Sequence, residues 1–116
     1  HSPEFKPNPD GSMIHDQLVY RTKIDIEIDT FWAFAAGVDP LKLMERLKAR
    51  LRVIHIKDGF RDGRGMPLGR GEAPVADVYR KALEMGVPMV VESETRAPSG
   101  MDEARVCIEY LKAQEK

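Results

Sequence analysis

An α/β fold of parallel strands joined by helices is what this sequence predicts, and three observations predict it. Stretches whose apolar residues alternate with a period of two take turns along the chain with stretches of helical period. No hairpin turn joins one strand directly to the next, so right-handed crossovers between parallel strands are required. Finally, three strands end on residues able to bind a metal ion or move a proton: Asp29, His55 and Glu92.

Taken in order, residues 1–11 (HSPEFKPNPDG) hold three prolines and a closing Asp-Gly, the punctuation of a loop. Residues 12–20 place Ile14 and Leu18 four apart, which predicts a short helix capped by Ser12. The run KIDIEID, residues 23–29, alternates Ile24, Ile26 and Ile28 with acids and predicts a strand. Residues 30–38 read as an apolar turn region. Asp39-Pro40 is an N-cap followed by proline at the first helical position, and Leu41, Met44, Leu47, Lys48 and Leu51 continue one helical stripe from there.

The stretch from Arg52 to Gly71, RVIHIKDGFRDGRGMPLGRG, is a β-type run followed by a loop rich in Gly and Arg. Alternation along a strand sends Ile54 and Ile56 to one face and Val53, His55 and Lys57 to the other. The glycines then stop regular structure. Residues 74–85 form a helix with Val75, Val78, Tyr79, Ala82 and Leu83 on one face and Gly86 as its C-terminal stop. A third strand, residues 87–94, ends in acids. Ser99 and Asp102 open a last helix with Met101, Ala104, Ile108 and Leu111 as its apolar stripe and Cys107 beside it in the core. The expected organisation is a loop (1–11) and three βα units (12–51, 52–86 and 87–116).

Composition bounds the class. The chain has 116 residues, 42% hydrophobic and 32% charged, which suits one domain with a modest core. A net charge of −1 supplies no basic field, so nucleic acid is disfavoured as a partner. The single cysteine cannot form an internal disulfide, which fits a reducing compartment and a cytoplasmic location. No stretch approaches the ~20 apolar residues of a membrane span. No signal peptide is visible, and a start at His1 without an initiator Met leaves the true amino terminus open.

Ligands of α/β sheets and barrels bind at the carboxyl ends of the strands. Three adjacent parallel strands would bring Asp29, His55 and Glu92 to one mouth. Two carboxylates and an imidazole form a mixed donor set suited to a divalent ion such as Mn²⁺, Mg²⁺, Co²⁺ or Zn²⁺. Taken singly, each acid also reads as a solvated strand-end residue or a helix-capping partner; it is their equivalent placement that favours a site.

The runs IDIEIDTFWAFAAGVDPLKLMERL, VIHIKDG followed by PLGRGE, and VVESE followed by a helix containing IEYLK resemble the carboxy-terminal part of the sugar phosphate isomerase/epimerase family, xylose isomerase-like TIM barrels. The opening HSPEFKPNPDG is similar to the segment after a strand-end histidine cluster midway through such barrels, which makes His1 a candidate substrate contact. The resemblance implies the carboxy-terminal half of a (β/α)8 barrel, with earlier strands upstream of His1. It implies Asp29, His55 and Glu92 as metal ligands. It also implies that Glu92 doubles as one of two acid/base carboxylates, the other lying on an earlier strand.

The implied reaction is isomerisation or epimerisation of a sugar or sugar phosphate by proton abstraction next to a carbonyl, through an enediolate. Where a substrate-binding histidine often stands three residues after the aspartate, this chain has Trp32, whose ring either stacks on a sugar or fills the mouth. Lys57, Arg61 and Arg64 are the candidates for phosphate or hydroxyl contacts, and Arg70 reads as a solvated loop charge. Two other readings stay open: a metal-dependent hydrolase of the same superfamily, endonuclease-like, and a non-catalytic carbohydrate-binding half-barrel. Unpaired strand edges in a half-barrel predict self-association or a homo-oligomer.

Overall fold

A computed structural model describes all residues, 1–116. Its centre is a three-stranded parallel sheet made of β1 (Ile26–Asp29), β2 (Leu51–Ile56) and β5 (Met89–Val91), with β2 in the middle. Helices α1 (Ile14–Arg21), α2 (Thr30–Ala35), α3 (Pro40–Leu47), α4 (Val75–Met85) and α5 (Gly100–Gln114) complete the order. Ile26, Ile28, Ile54 and Ile56 supply the buried face of the sheet, packed in one core with Leu43, Met44, Leu47, Val78, Ala82 and Cys107. Full burial of an isoleucine contributes roughly 1.5–3 kcal/mol, so this face fixes the strand register. It thereby commits Glu27, Asp29 and His55 to the opposite face.

Several local expectations are corrected. Residues 1–11 contain a 3₁₀ turn, Ser2–Phe5, whose Phe5 is buried. Ser12 does not cap α1: its hydroxyl donates to Asp10 at 2.6 Å, and Met13 occupies the cap position without a side-chain bond. The buried residues of α1 are His15 and Val19, one position on from the expected Ile14 and Leu18, which are exposed. β1 starts at Ile26 rather than Lys23. The Arg50 guanidinium takes the Ile24 carbonyl at 2.7 Å, and the first ladder bond runs from Ile26 N–H to the Arg50 carbonyl at 2.8 Å.

Residues 30–35 are helical rather than a turn, because the strand-end carboxylate of Asp29 caps the Trp32 N–H at 3.0 Å and nothing in TFWAFA breaks a helix. Asp39 caps α3 through the N–H groups of Leu41 and Lys42. That helix stops at Leu47, short of Leu51, because Leu51 already pairs with Ile26 in the sheet. The glycine loop is not free of regular structure: β3 (Asp58–Gly59) and β4 (Gly65–Met66) form a short antiparallel ribbon. A Cβ at Gly59 would lie 2.6 Å from the Phe31 ring, which is why glycine stands there. α4 ends on Gly86 in the left-handed region, φ +68, as expected, but its Leu83 is exposed.

β5 is shorter than residues 87–94, and α5 buries Glu103, Cys107 and Leu111 while Met101 and Ile108 face out. Ser99 caps α5 through the Asp102 N–H at 3.1 Å. The outer edges of β1 and β5 have no neighbouring strand. Exposed apolar residues gather in the elements at these two ends: Ile14, Leu18 and Ile24 on one, Val90, Val91 and Ile108 on the other. No helix is long and apolar enough to cross a membrane.

Candidate metal centre

Parallel pairing sets Asp29 beside His55 and His55 beside Val90, so Glu92, just beyond the end of β5, reaches the same spot. One ligand atom from each of Asp29, His55 and Glu92 lies within 4.8 Å of the other two. His55 Nδ1 is 3.2 Å from Glu92 Oε2 and 3.9 Å from Asp29 Oδ2. On its other side, Nε2 lies 3.0 Å from Glu27 Oε1. His55 thus has a carboxylate on each ring nitrogen, and an Nε2–H donated to Glu27 would leave Nδ1 to act as a ligand on the side of the two other acids. Thr30 Oγ1 donates to the His55 carbonyl at 3.1 Å, tying the two strand ends together.

Asp29 contributes in two ways. Oδ1 accepts the Trp32 N–H, while Oδ2 is buried and has no hydrogen-bond partner. Burial, and then the neighbouring Glu92 carboxylate, push its carboxyl up to about 7. Glu92 moves the opposite way, held below the ordinary carboxylate range first by the Asp29 carboxyl beside it and then by the nearby Lys57 ammonium. Two acids this close share one proton unless a cation lies between them. A buried, unpartnered carboxylate oxygen, a second carboxylate and an imidazole nitrogen facing both make a donor set that fits a divalent ion.

Lys57 is 1% exposed, with Nζ 2.8 Å from Glu94 Oε1 and 3.4 Å from Glu92 Oε1. Burial pushes its ammonium down, but Glu94 and Glu92 outweigh that and leave it raised. The Trp32 ring covers it at 4.9 Å. Trp32 also meets the His1 ring at 5.1 Å, and its Nε1–H is buried without a partner. Gly63 and Gly65 carry the loop past these groups: a Cβ at Gly63 would sit 3.7 Å from the Trp32 ring, and one at Gly65 3.7 Å from the Lys57 stem.

The remaining candidates stand elsewhere. The Arg61 guanidinium lies over the Phe34 ring at 4.1 Å and lines a cavity of about 360 Å³ with Asp39 and Glu72, whose walls include none of the cluster. Arg64 lies over Phe60 at 4.5 Å and pairs with Asp62 at 3.6 Å.

Four residues with parts in this arrangement were not singled out from sequence as site residues. Glu27 orients His55 and Glu94 holds Lys57; the period-two pattern places both on the site face, which was the available signal. Asp58 and Glu103 left none, since Asp58 acts on backbone N–H groups and Glu103 on backbone N–H groups and two hydroxyls of one short segment. The buried Asp58 carboxylate accepts from Gly59, Gly69, Gly71 and Ala73 at 2.7–3.1 Å and so folds the glycine loop.

Comparison with known proteins identifies the fold. The family model described as xylose isomerase-like TIM barrel matches residues 14–114. A sugar phosphate isomerase/epimerase from Parabacteroides distasonis has a similar structure, with TM-score 0.79, 27% identity, and 97% of this chain matched to 45% of that one. A second structure of that name from the same organism gives TM-score 0.78 at 24% identity, over 95% of this chain and 42% of that one, and shows the fold alone. This chain therefore spans less than half the length of either. A search of curated proteins finds no match. The three-stranded sheet is a portion of such a barrel. The matched stretch runs from the first residue of α1 to the last of α5, so sheet and cluster both fall inside it, and the chain belongs to the xylose isomerase-like TIM barrel family.

Proposed function

We propose that the protein carrying this chain is a metal-dependent isomerase or epimerase of a sugar or sugar phosphate, working by proton transfer at the carbon next to a carbonyl. The observation that carries the reading is the convergence of Asp29, His55 and Glu92 around a buried carboxylate oxygen that has no other partner. The substrate class rests on the name of the relative that is 27% identical. Asp29, His55 and Glu92 would hold Mn²⁺, Mg²⁺, Co²⁺ or Zn²⁺. Such an ion polarises a carbonyl and its neighbouring hydroxyl, lowering the cost of charge on those oxygens.

The chain's own residues would divide the remaining work. Glu92 takes the proton from the substrate carbon on one face and returns it, and Lys57, 3.4 Å away, keeps that carboxylate ionised between turnovers. Glu27 holds the His55 ring in place. Trp32 and His1, side by side at the mouth, offer ring faces to the apolar side of a sugar. Arg61 and Arg64, seated over Phe34 and Phe60, would reach a phosphate ester at this site only by leaving those rings. The second acid/base carboxylate, for the opposite face of the substrate, comes from outside residues 1–116.

The test is solvent exchange. The intact protein with Mn²⁺ is incubated in D₂O with a panel of aldoses, ketoses and their phosphate esters, and deuterium entry next to the carbonyl is followed by NMR. Incorporation is expected for at least one sugar, with a loss of about 100-fold or more in Glu92→Gln. Absence of exchange across the panel, or exchange undiminished in Glu92→Gln, would sink the proposal.

A further inference from the structure

Glu103 lies outside the cluster, in the first turn of α5, yet it is among the most deeply buried charged groups, with 2% exposure. A buried carboxylate needs donors to offset its lost hydration. This one takes them from one short segment. Its Oε1 accepts from the Ser93 hydroxyl, the Thr95 hydroxyl at 2.6 Å and the Thr95 N–H at 3.1 Å, and its Oε2 accepts the Arg96 N–H at 2.5 Å. That segment begins directly after Glu92.

The placement matters because little else fixes it. The sheet stops holding this strand at Glu92, whose N–H reaches the Ile56 carbonyl at 3.1 Å. From there to the Ser99 cap, the paired backbone N–H groups are those of Thr95 and Arg96, and both go to Glu103. Arg96 also has φ +52, a left-handed conformation that costs a non-glycine residue about 1 kcal/mol and needs a compensating contact. Glu94, the partner of Lys57, sits inside the held segment.

We propose that Glu103 is a positioning residue for the metal centre: by clamping Ser93–Arg96 from α5, its carboxylate sets where Glu92 and Glu94 stand relative to His55 and Lys57. Its functional meaning rests on the metal-dependent reading of the site, but the clamp itself is a property of the fold. Glu103→Gln keeps the shape and replaces one accepting oxygen with an N–H₂ that opposes the donors around it. The folded side chain then satisfies fewer of the four groups, and the segment loosens while the rest of α5 keeps its helical bonds.

The experiment compares the intact wild-type protein with Glu103→Gln by two measurements, at a temperature where circular dichroism shows both folded. Mn²⁺ affinity by titration calorimetry should fall about tenfold or more, the range seen when groups that orient ligands are removed. Hydrogen exchange by mass spectrometry should rise in the peptide covering residues 92–98 and stay unchanged in residues 104–114. Unchanged exchange at 92–98, or an equal rise in both peptides, overturns the clamp; affinity within twofold of wild type overturns the positioning role. If wild-type protein binds no Mn²⁺, the metal reading fails and the positioning role with it, while the exchange data still decide the clamp. Should Glu103→Gln fail to fold, the double variant Ser93→Ala, Thr95→Val removes only the side-chain donors. It is then expected to show the same local rise in exchange, and no rise overturns the proposal.

Discussion

Replacing Asp58 by asparagine should unfasten the glycine loop at a calculable cost. Oδ1 accepts from Gly59 at 2.7 Å and Ala73 at 3.1 Å, and Oδ2 from Gly69 at 2.9 Å and Gly71 at 3.0 Å. Whichever way the introduced amide is turned, its N–H₂ faces two backbone donors, and two of the four bonds are lost. Hydrogen bonds to a charged acceptor are worth about 1.5–3 kcal/mol each, and a buried N–H left unmade keeps its full desolvation cost. The carboxylate is 1% exposed, so water offers little replacement. The loss should be about 3–6 kcal/mol, which at a urea slope near 2 kcal/mol/M moves the unfolding midpoint of the intact protein down by roughly 1.5–3 M. Equilibrium urea unfolding, followed by fluorescence with the slope fitted freely, is the assay. A midpoint shift under about 0.5 M at unchanged slope would mean that the ribbon and not Asp58 holds the loop, and the reasoning would be refuted.

Two further outcomes are expected. Burial pushes the Glu103 carboxyl up, but the bonds from Ser93, Thr95 and Arg96 outweigh it and hold it at about 2, below its ordinary 4.5. A lowered folded-state pKa stabilises above the ordinary value and is lost as pH falls through the folded one. The stability gap between wild type and Glu103→Gln should therefore be widest above pH 4.5 and close as pH falls towards 2; a gap independent of pH across that window contradicts the assignment. Residues 1–116 produced alone should self-associate, because β1 and β5 both present unpaired edges flanked by exposed apolar residues. Sedimentation velocity showing a monomer, together with a sharp thermal transition and sugar-isomerising activity, would refute that.

The sequence carried the parallel order and the faces of the strands, since the alternation of Ile26 and Ile28 with acids, and of Ile54 and Ile56 with His55, needs only the period of a strand to be read. Helix faces were less legible where the helix lies at an open end of the sheet. α1 has apolar residues on adjacent stripes, and nothing local says that Val19 packs inward while Leu18 stays exposed. Residues 30–35 were hidden because their helix start depends on Asp29, whose carboxylate serves both as cap and as a member of the cluster. Lys57 was legible as a charge on the site face. That it is buried under Trp32 against Glu92 and Glu94 depends on groups 25 to 37 residues away and has no local signature. Asp58 acts on backbone donors, which every residue other than proline carries, and Glu103 takes two backbone donors and two hydroxyls from a segment seven to ten residues before it, so no residue pattern announces either.

The most direct test of the central claim is anomalous diffraction from a crystal of the intact protein grown with Mn²⁺. The account predicts one strong manganese peak within about 2.0–2.4 Å of a carboxylate oxygen of Asp29, of Nδ1 of His55 and of a carboxylate oxygen of Glu92. A peak bound to other residues, or none between these three at saturating Mn²⁺, would contradict it.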